Sequence, residues 1–171
     1  MLLELNISNI ALIESLRIEF APGFNVLTGE TGSGKSIIVD CMNLVLGSRA
    51  DRNFLRTGAD KGYVQALFDI AGLDVAKDMM GENGIPFDED TALISREISR
   101  SGRNVCRVNG MLVPLNTLTQ LTNLLLDIHG QHEHQSLMRP SMHLSFLDAY
   151  GDETHSDLLN EVAKLAHERS E

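Results

Sequence analysis

Apolar and polar residues alternate from the first residues of the chain. Leu3, Leu5 and Ile7 interleave with Glu4, Asn6 and Ser8, and Leu16, Ile18 and Phe20 interleave with Arg17 and Glu19. A period of two predicts two half-buried strands. Pro22-Gly23 marks a turn. The run from Phe24 to Leu27 is apolar throughout and ends in Thr28-Gly29, which predicts a strand buried on both faces. After a glycine-rich stretch, Lys35 to Leu46 has the length and composition of a helix, with Gly47 as its stop. Val64, Ala66, Phe68 and Ile70 alternate again and predict a further strand, and Leu73 to Asn83 predicts a short helix closed by Gly84 and Pro86.

Leu93–Ser99 and Asn104–Val108 predict a hairpin around Ser101-Gly102, and Asn109-Gly110 is another turn. Pro114 opens a helix with Leu115, Leu118, Leu121 and Leu125 on one stripe, which is expected to be core. Asp127-Ile128-His129-Gly130 reads as a strand end and His143 to Tyr150 as helical, with Phe146, Leu147 and Tyr150 expected to pack on the sheet. From Thr154 the chain is charged. Leu158, Val162, Leu165 and Arg169 follow steps of four and three residues, the spacing of a coiled-coil start or of an ordinary amphipathic helix. No internal repeat is present.

Composition narrows the picture. A chain of 171 residues with 43% hydrophobic residues suffices for one globular domain with its own core. No apolar run approaches the roughly 20 residues that cross a bilayer. The first residues lack a basic region and carry an early acid, Glu4, so neither a signal peptide nor a membrane partner is expected. Cys41 and Cys106 are far apart and are expected as free, buried thiols. The net charge of −10 argues against a broad nucleic-acid-binding face, but leaves room for a local patch or for DNA binding by other parts of a longer protein.

The chemistry lies at Gly29-Glu30-Thr31-Gly32-Ser33-Gly34-Lys35-Ser36, a match to G-x-x-x-x-G-K-[ST]. Such a P-loop turns backbone N–H groups toward phosphate oxygens. Its glycines permit the required backbone angles and the close approach of the ligand. The helix that follows directs its positive end at the anion. Lys35 is expected on the β- and γ-phosphates and the Ser36 hydroxyl on Mg²⁺, with Ile37 completing the binding stretch. The ligands expected are ATP and Mg²⁺. The context is right, with an apolar run before the loop and a helix-length segment after it.

Hydrolysis also needs an acid on the metal shell and a group that orients water. The nearest local match to the acid is Leu124-Leu125-Leu126-Asp127, which is imperfect because Ile128 follows. His129, His132 and His134 suggest a metal site, but steps of three and two without a cysteine are not a zinc pattern, and a polar loop near a phosphate site is the plainer account. Arg96, Arg100, Arg103 and Arg107 cluster on the predicted hairpin. They fit either a DNA-contacting patch or a solvated hairpin offset by acids such as Glu89 and Glu97, and parity places Arg96 with Ile94 and Ile98, partly buried. Met79, Met80 and Met138 read as packing residues.

The stretch Leu5-Asn6-Ile7-Ser8-Asn9-Ile10-Ala11-Leu12-Ile13, leading into Gly23-Phe24-Asn25-Val26-Leu27-Thr28 and the P-loop, resembles the N-terminal end of SMC-like ATPases. More narrowly, Gly47-Ser48-Arg49-Ala50, Val108-Asn109-Gly110 with Val113-Pro114-Leu115, and Ile128-His129-Gly130-Gln131-His132-Glu133-His134-Gln135 resemble the RecN family of bacterial double-strand-break repair proteins, up to about Tyr150. The resemblance implies an ABC-type ATPase head split by a long antiparallel coiled coil, with residues 1–152 as the N-terminal lobe and 153–171 as the start of the coiled-coil helix. It implies that two heads sandwich ATP and separate on hydrolysis, in a cytoplasmic, nucleoid-associated protein that acts on DNA. Gln131 is similar to the family's Q-loop glutamine, which contacts Mg²⁺ and the attacking water. Arg56, in Leu55-Arg56-Thr57-Gly58, resembles the arginine placed near the nucleotide after the P-loop helix.

No Ser-Gly-Gly-[Gln/Glu] signature and no apolar run ending in Asp-Glu is present. The resemblance therefore implies a fragment, whose C-terminal head lobe and metal-holding acids lie elsewhere in the same protein, and Asp127 becomes a decoy. Two other functions fit the P-loop: a small-molecule kinase, with the hairpin arginines as its only support, and a nucleotide-gated assembly module without turnover. The fold expected is α/β: a mixed sheet with an antiparallel β-subdomain, made by the N-terminal strands and the hairpin, around a P-loop core strand and helix.

Overall fold

A computed structural model describes residues 1–30, 34–87, 90–126, 128, 143–144, 147–148, 150–151 and 153–170. They fall into two compact units, Met1–Asp127 and Ile128–Glu171.

The first unit is a sheet covered on one face by helices. Its elements run β1 (Leu2–Ile10), β2 (Ile13–Glu19), α1 (Lys35–Val45), a 3₁₀ turn (Arg52–Phe54), β3 (Lys61–Asp69), α2 (Asp74–Glu82), β4 (Thr91–Ser99), β5 (Asn104–Val108), β6 (Met111–Leu112) and α3 (Leu115–Leu125). The strand order is β2-β1-β3-β4-β5-β6, and each of these neighbouring pairs is antiparallel. Antiparallel neighbours that follow one another closely in sequence need only short turns: β5 and β6 are joined by Asn109-Gly110, β4 and β5 by a turn with Gly102, and β1 and β2 by a turn with Ala11, all at positive φ.

Register places the alternating apolar residues on one face. Ile7 stands beside Val64 and Val64 beside Arg96, while Leu5, Ala66, Ile94 and Val108 form the next row. All of these are buried. α1 packs on β3 and β4, α3 packs on β5, and α2 lies against α3. α1 contributes Ile38, Cys41, Leu44 and Val45 to the core, and α3 contributes Leu118 and Leu121. Of the α3 stripe, Leu115 remains exposed and Leu125 half-buried, because the helix contacts the sheet through its middle turns. The opposite face of the sheet is polar. There Glu97 on β4 is held by Lys61 at 2.6 Å and by Arg107 at 3.6 Å.

The expected α/β class and antiparallel β-subdomain hold, while the sheet, expected to be mixed, is antiparallel at every described pairing. One element differs. Residues 24–27 form no strand, and Phe24 is 94%, Val26 65% and Leu27 47% exposed. An apolar strand meant for burial on both faces needs hydrogen-bonding neighbours on its edges, and β2 to β6 pair only with one another and with β1.

In the second unit, α4 spans Glu153–Ser170. Leu158, Val162 and Leu165 make an exposed apolar stripe along it. Asp148 Oδ1 accepts a hydrogen bond from His155 Nε2 at 3.1 Å. Leu147 and Tyr150 are exposed; Phe146 lies outside the described residues, as does Met138. Met79 and Met80 do pack in the core of the first unit.

Candidate nucleotide-binding site

The loop Gly29–Ser36 leads into the first turn of α1. Gly34 holds φ +99°, a left-handed conformation that a side chain would resist, and from there the chain enters the helix at Lys35. The first intrahelical bond runs from Ile38 N–H to the Gly34 carbonyl at 3.2 Å. Among the described residues, no side chain caps this helix end and no acid stands in its first turn. Those are the groups that ordinarily neutralise a helix N-terminus, so the positive end of α1 is left for an anion.

Lys35 Nζ folds back across the loop, donating to the Gly29 carbonyl and to the Glu30 carbonyl at 2.6 Å. Phosphate oxygens are stronger acceptors for an ammonium than neutral carbonyls, so the lysine is poised to exchange these bonds for a phosphate. Ser36 is exposed, as a metal-ligating hydroxyl must be, and Ile37 is half-buried against the core. Thr31, Gly32 and Ser33 lie outside the described residues, as do Gln131, Asp127, His129, His132 and His134.

Arg56 is placed by a different element. Its N–H donates to the Asn9 carbonyl at 3.1 Å, Nη1 donates to the Leu12 carbonyl at 2.8 Å, and Nη2 lies 3.5 Å from Glu14. It thus braces the β1–β2 turn beside an open groove of about 630 Å³ that also includes Asn9, Gly58, Lys61 and Tyr63.

Three of the four hairpin arginines are engaged within the fold. Arg96 is 1% exposed. Arg100 donates to the Ala59 carbonyl at 2.9 Å and stands 3.6 Å from Asp60, and Arg107 pairs with Glu97. With these three engaged, the support for an arginine-rich kinase lid is gone.

The far end of α1 holds more than the helix stop that the sequence marks at Gly47. Gly47, at φ +107°, closes the helix in a Schellman arrangement, with Gly47 N–H donating to the Leu44 carbonyl at 3.2 Å and Ser48 N–H to the Asn43 carbonyl at 3.0 Å. Arg96 reaches in from β4. Its Nη1 donates to the Leu44 carbonyl at 2.7 Å, and its Nη2 donates to the Ser48 carbonyl at 3.4 Å and to Asn104 Oδ1 at 3.2 Å. Thr122, on α3, donates to the Leu46 carbonyl at 2.9 Å. Strand parity had signalled only that Arg96 points inward. Asn104 and Thr122 carried no sequence signal.

Both cysteines are free and buried, as expected. Burial, and then the charge of Asp40, push the Cys41 thiol up to about 12.

A one-faced antiparallel sheet with a P-loop motif opening a helix has the fold of an SMC-like ATPase head lobe. A family model described as an AAA domain matches residues 4–105, more than half of the chain, and the chain belongs to that family. The narrower resemblance to RecN also holds. The chain is 45% identical to the DNA repair protein RecN of Bacillus subtilis over 92% of its length, and 41% identical to that of Vibrio cholerae over 93%. It spans about 28% of the length of these relatives. Among solved structures, a chain from work on ATP-driven dimerization and DNA-stimulated activation of SMC ATPases superposes with TM-score 0.58 at 19% identity, covering 94% of this chain and 97% of that one. The SMC head domain from Thermotoga maritima gives 0.55 at 22% identity, over 70% of this chain and 41% of that one. At these identities the structures establish the fold.

Proposed function

We propose that this chain is the ATP-binding N-terminal lobe of a RecN-like DNA-repair ATPase, with residues 1–152 as the lobe and 153–171 as the root of its coiled coil. The observation that carries this reading is the loop Gly29–Ser36 opening a helix whose positive end has no cap or acid among the described residues. In this reading Gly29, Glu30, Thr31, Gly32, Ser33, Gly34, Ser36 and Ile37 line the phosphates, and Lys35 moves from its loop carbonyls onto the β- and γ-phosphates. The Ser36 hydroxyl would hold Mg²⁺, which would supply charge neutralisation at the phosphates. Gln131 contacts the metal and orients water, its amide being able both to donate and to accept. Arg56 stands on the nucleotide side.

The exposed run Phe24, Val26 and Leu27 supports a two-lobe head. Apolar residues at 94% and 65% exposure in one short stretch mark a surface awaiting a partner, and the C-terminal lobe of the same protein would complete the strand. A second head joined on ATP binding, release on hydrolysis, and DNA contact through the complete protein follow from the same reading, as does a cytoplasmic, nucleoid-associated location. Among the described residues no helix is long and apolar enough to cross a membrane.

The test compares this chain with one in which the C-terminal lobe is restored. The chain alone is expected to bind ATP with Mg²⁺ weakly and to turn over little or none, and restoring the lobe is expected to bring ATPase activity. Turnover by the isolated chain that disappears in Lys35→Ala would sink the half-site reading. Light scattering with and without ATP on both proteins separates a hydrolysing head from assembly without turnover.

A further inference from the structure

We propose that Arg96 is a positioning residue for the P-loop: its buried guanidinium, together with the Thr122 hydroxyl, fixes the C-terminal end of α1 and thereby the place of the phosphate-binding loop at the other end. The inference rests on the reading of Gly29–Ser36 as a nucleotide site.

Among the described residues, the regular structure that holds the loop lies on its downstream side. Upstream, residues 21–30 have no regular structure, and Phe24, Val26 and Leu27 are exposed, so that side offers little to hold it. Downstream is α1, eleven residues long and bound to the sheet by a single stripe of Ile38, Cys41, Leu44 and Val45. Such a stripe resists separation from the sheet, but apolar contacts are non-directional and leave sliding along the helix axis weakly opposed. Directional bonds at the C-terminal end oppose it. Arg96 spans the Leu44 and Ser48 carbonyls from β4, and Thr122 holds the Leu46 carbonyl from α3. The two clasps come from different elements and converge on one turn.

The choice of arginine is itself informative. A guanidinium at 1% exposure is costly to bury, and burial lowers its affinity for a proton. Among the described residues no carboxylate pairs with it, and its Nε has no hydrogen-bond partner. What faces it is the negative end of the α1 dipole, whose carbonyls accept charge-assisted bonds. An apolar residue would fill a sheet position at lower cost if packing alone were required. Arg96 and Thr122 bond the opposite end of an eleven-residue helix, about 15 Å along its axis from the loop, so neither is a ligand to the nucleotide.

The experiment measures the dissociation constant of a fluorescent ATP analogue with Mg²⁺, together with the melting temperature, for this chain and for Arg96→Met, Arg96→Lys, Thr122→Val and Met80→Ala, each well below its own melting point. Met80 is buried on α2 and serves as a cavity control that leaves both clasps intact. Arg96→Met is expected to weaken binding about tenfold, equivalent to about 1.4 kcal/mol. Arg96→Lys, which keeps the charge but cannot span both carbonyls, should recover only part of that loss and still bind about threefold more weakly than the parent, and Thr122→Val should weaken binding about threefold, in line with one lost neutral hydrogen bond. Met80→Ala should melt earlier and bind as the parent does. Equal affinity in all three clasp variants overturns the inference and leaves the loop reading standing, as does an equal loss in Met80→Ala. If Arg96→Met does not fold, Arg96→Lys and Thr122→Val decide by the same criterion. A parent chain that binds no better than Lys35→Ala overturns the loop reading and this inference with it.

Discussion

Replacing Gly47 by alanine imposes two separable strains on the end of α1. The first is conformational. Gly47 holds φ +107°, and an L-residue with a Cβ at positive φ costs about 1–2 kcal/mol. The second is steric. A Cβ built at position 47 would lie 2.2 Å from Thr119 Oγ1, 3.1 Å from Thr119 Cβ and 3.4 Å from Thr119 Cα. The threonine cannot turn aside freely, because its hydroxyl donates to the Leu115 carbonyl at 2.9 Å within α3. Forcing α1 and α3 apart therefore adds about 1–3 kcal/mol, the ordinary cost of overpacking. Together the two terms predict a loss of roughly 2–5 kcal/mol, or a melting temperature lowered by roughly 6–20 °C for a unit of this size.

The assay is thermal and urea unfolding of Gly47→Ala, Thr119→Ala and the double variant. Thr119→Ala removes the oxygen at 2.2 Å but leaves the backbone strain at position 47. The double variant should thus recover roughly the steric part, a coupling of about 1–2 kcal/mol, and no more. A Gly47→Ala variant within about 0.5 kcal/mol of the parent would refute the backbone argument. Strict additivity in the double variant would refute the contact between the two helices.

Three further outcomes follow from the same structure. The Cys41 thiol, buried and pushed up to about 12, should not react with Ellman's reagent at pH 8 in the native protein and should react on unfolding; prompt native reaction would contradict its burial. Hydrogen bonding to Lys61, with smaller charge contributions from Lys61 and Arg107, lowers the Glu97 carboxyl below its usual value. Its contribution to stability is therefore present above the unfolded carboxylate range and is lost as pH falls through the folded value, so Glu97→Gln should flatten the acid limb of stability against pH, read by circular dichroism between pH 6 and about 3. Phe24, at 94% exposure, should be replaceable by serine with a change within about 0.5 kcal/mol in the isolated chain, whereas the same change should weaken association with a separately supplied C-terminal lobe; strong destabilisation of the isolated chain would show that Phe24 is core here after all.

The sequence by itself determined most of the sheet. Alternation at Val64, Ala66 and Phe68, and at Ile94, Arg96 and Ile98, fixed which face is buried, because a strand sends successive side chains to opposite sides whatever surrounds it. The same local rules marked Gly47 as a helix stop, and the P-loop motif marked where phosphate would lie. Tertiary structure alone decided two things. Residues 24–27 read as a buried strand, yet a strand exists only when neighbours complete its hydrogen bonds, and the sheet described here supplies none. Arg96 read as one of four hairpin arginines, yet its place under the last turn of α1 depends on β4, β5 and α1 meeting, with Leu44, Ser48 and Asn104 brought together from separate parts of the chain. Periodicity is a property of neighbours in sequence, whereas partnership across a fold is not, and for that reason the loop was legible in the sequence while the clasp inferred to hold it in place was not.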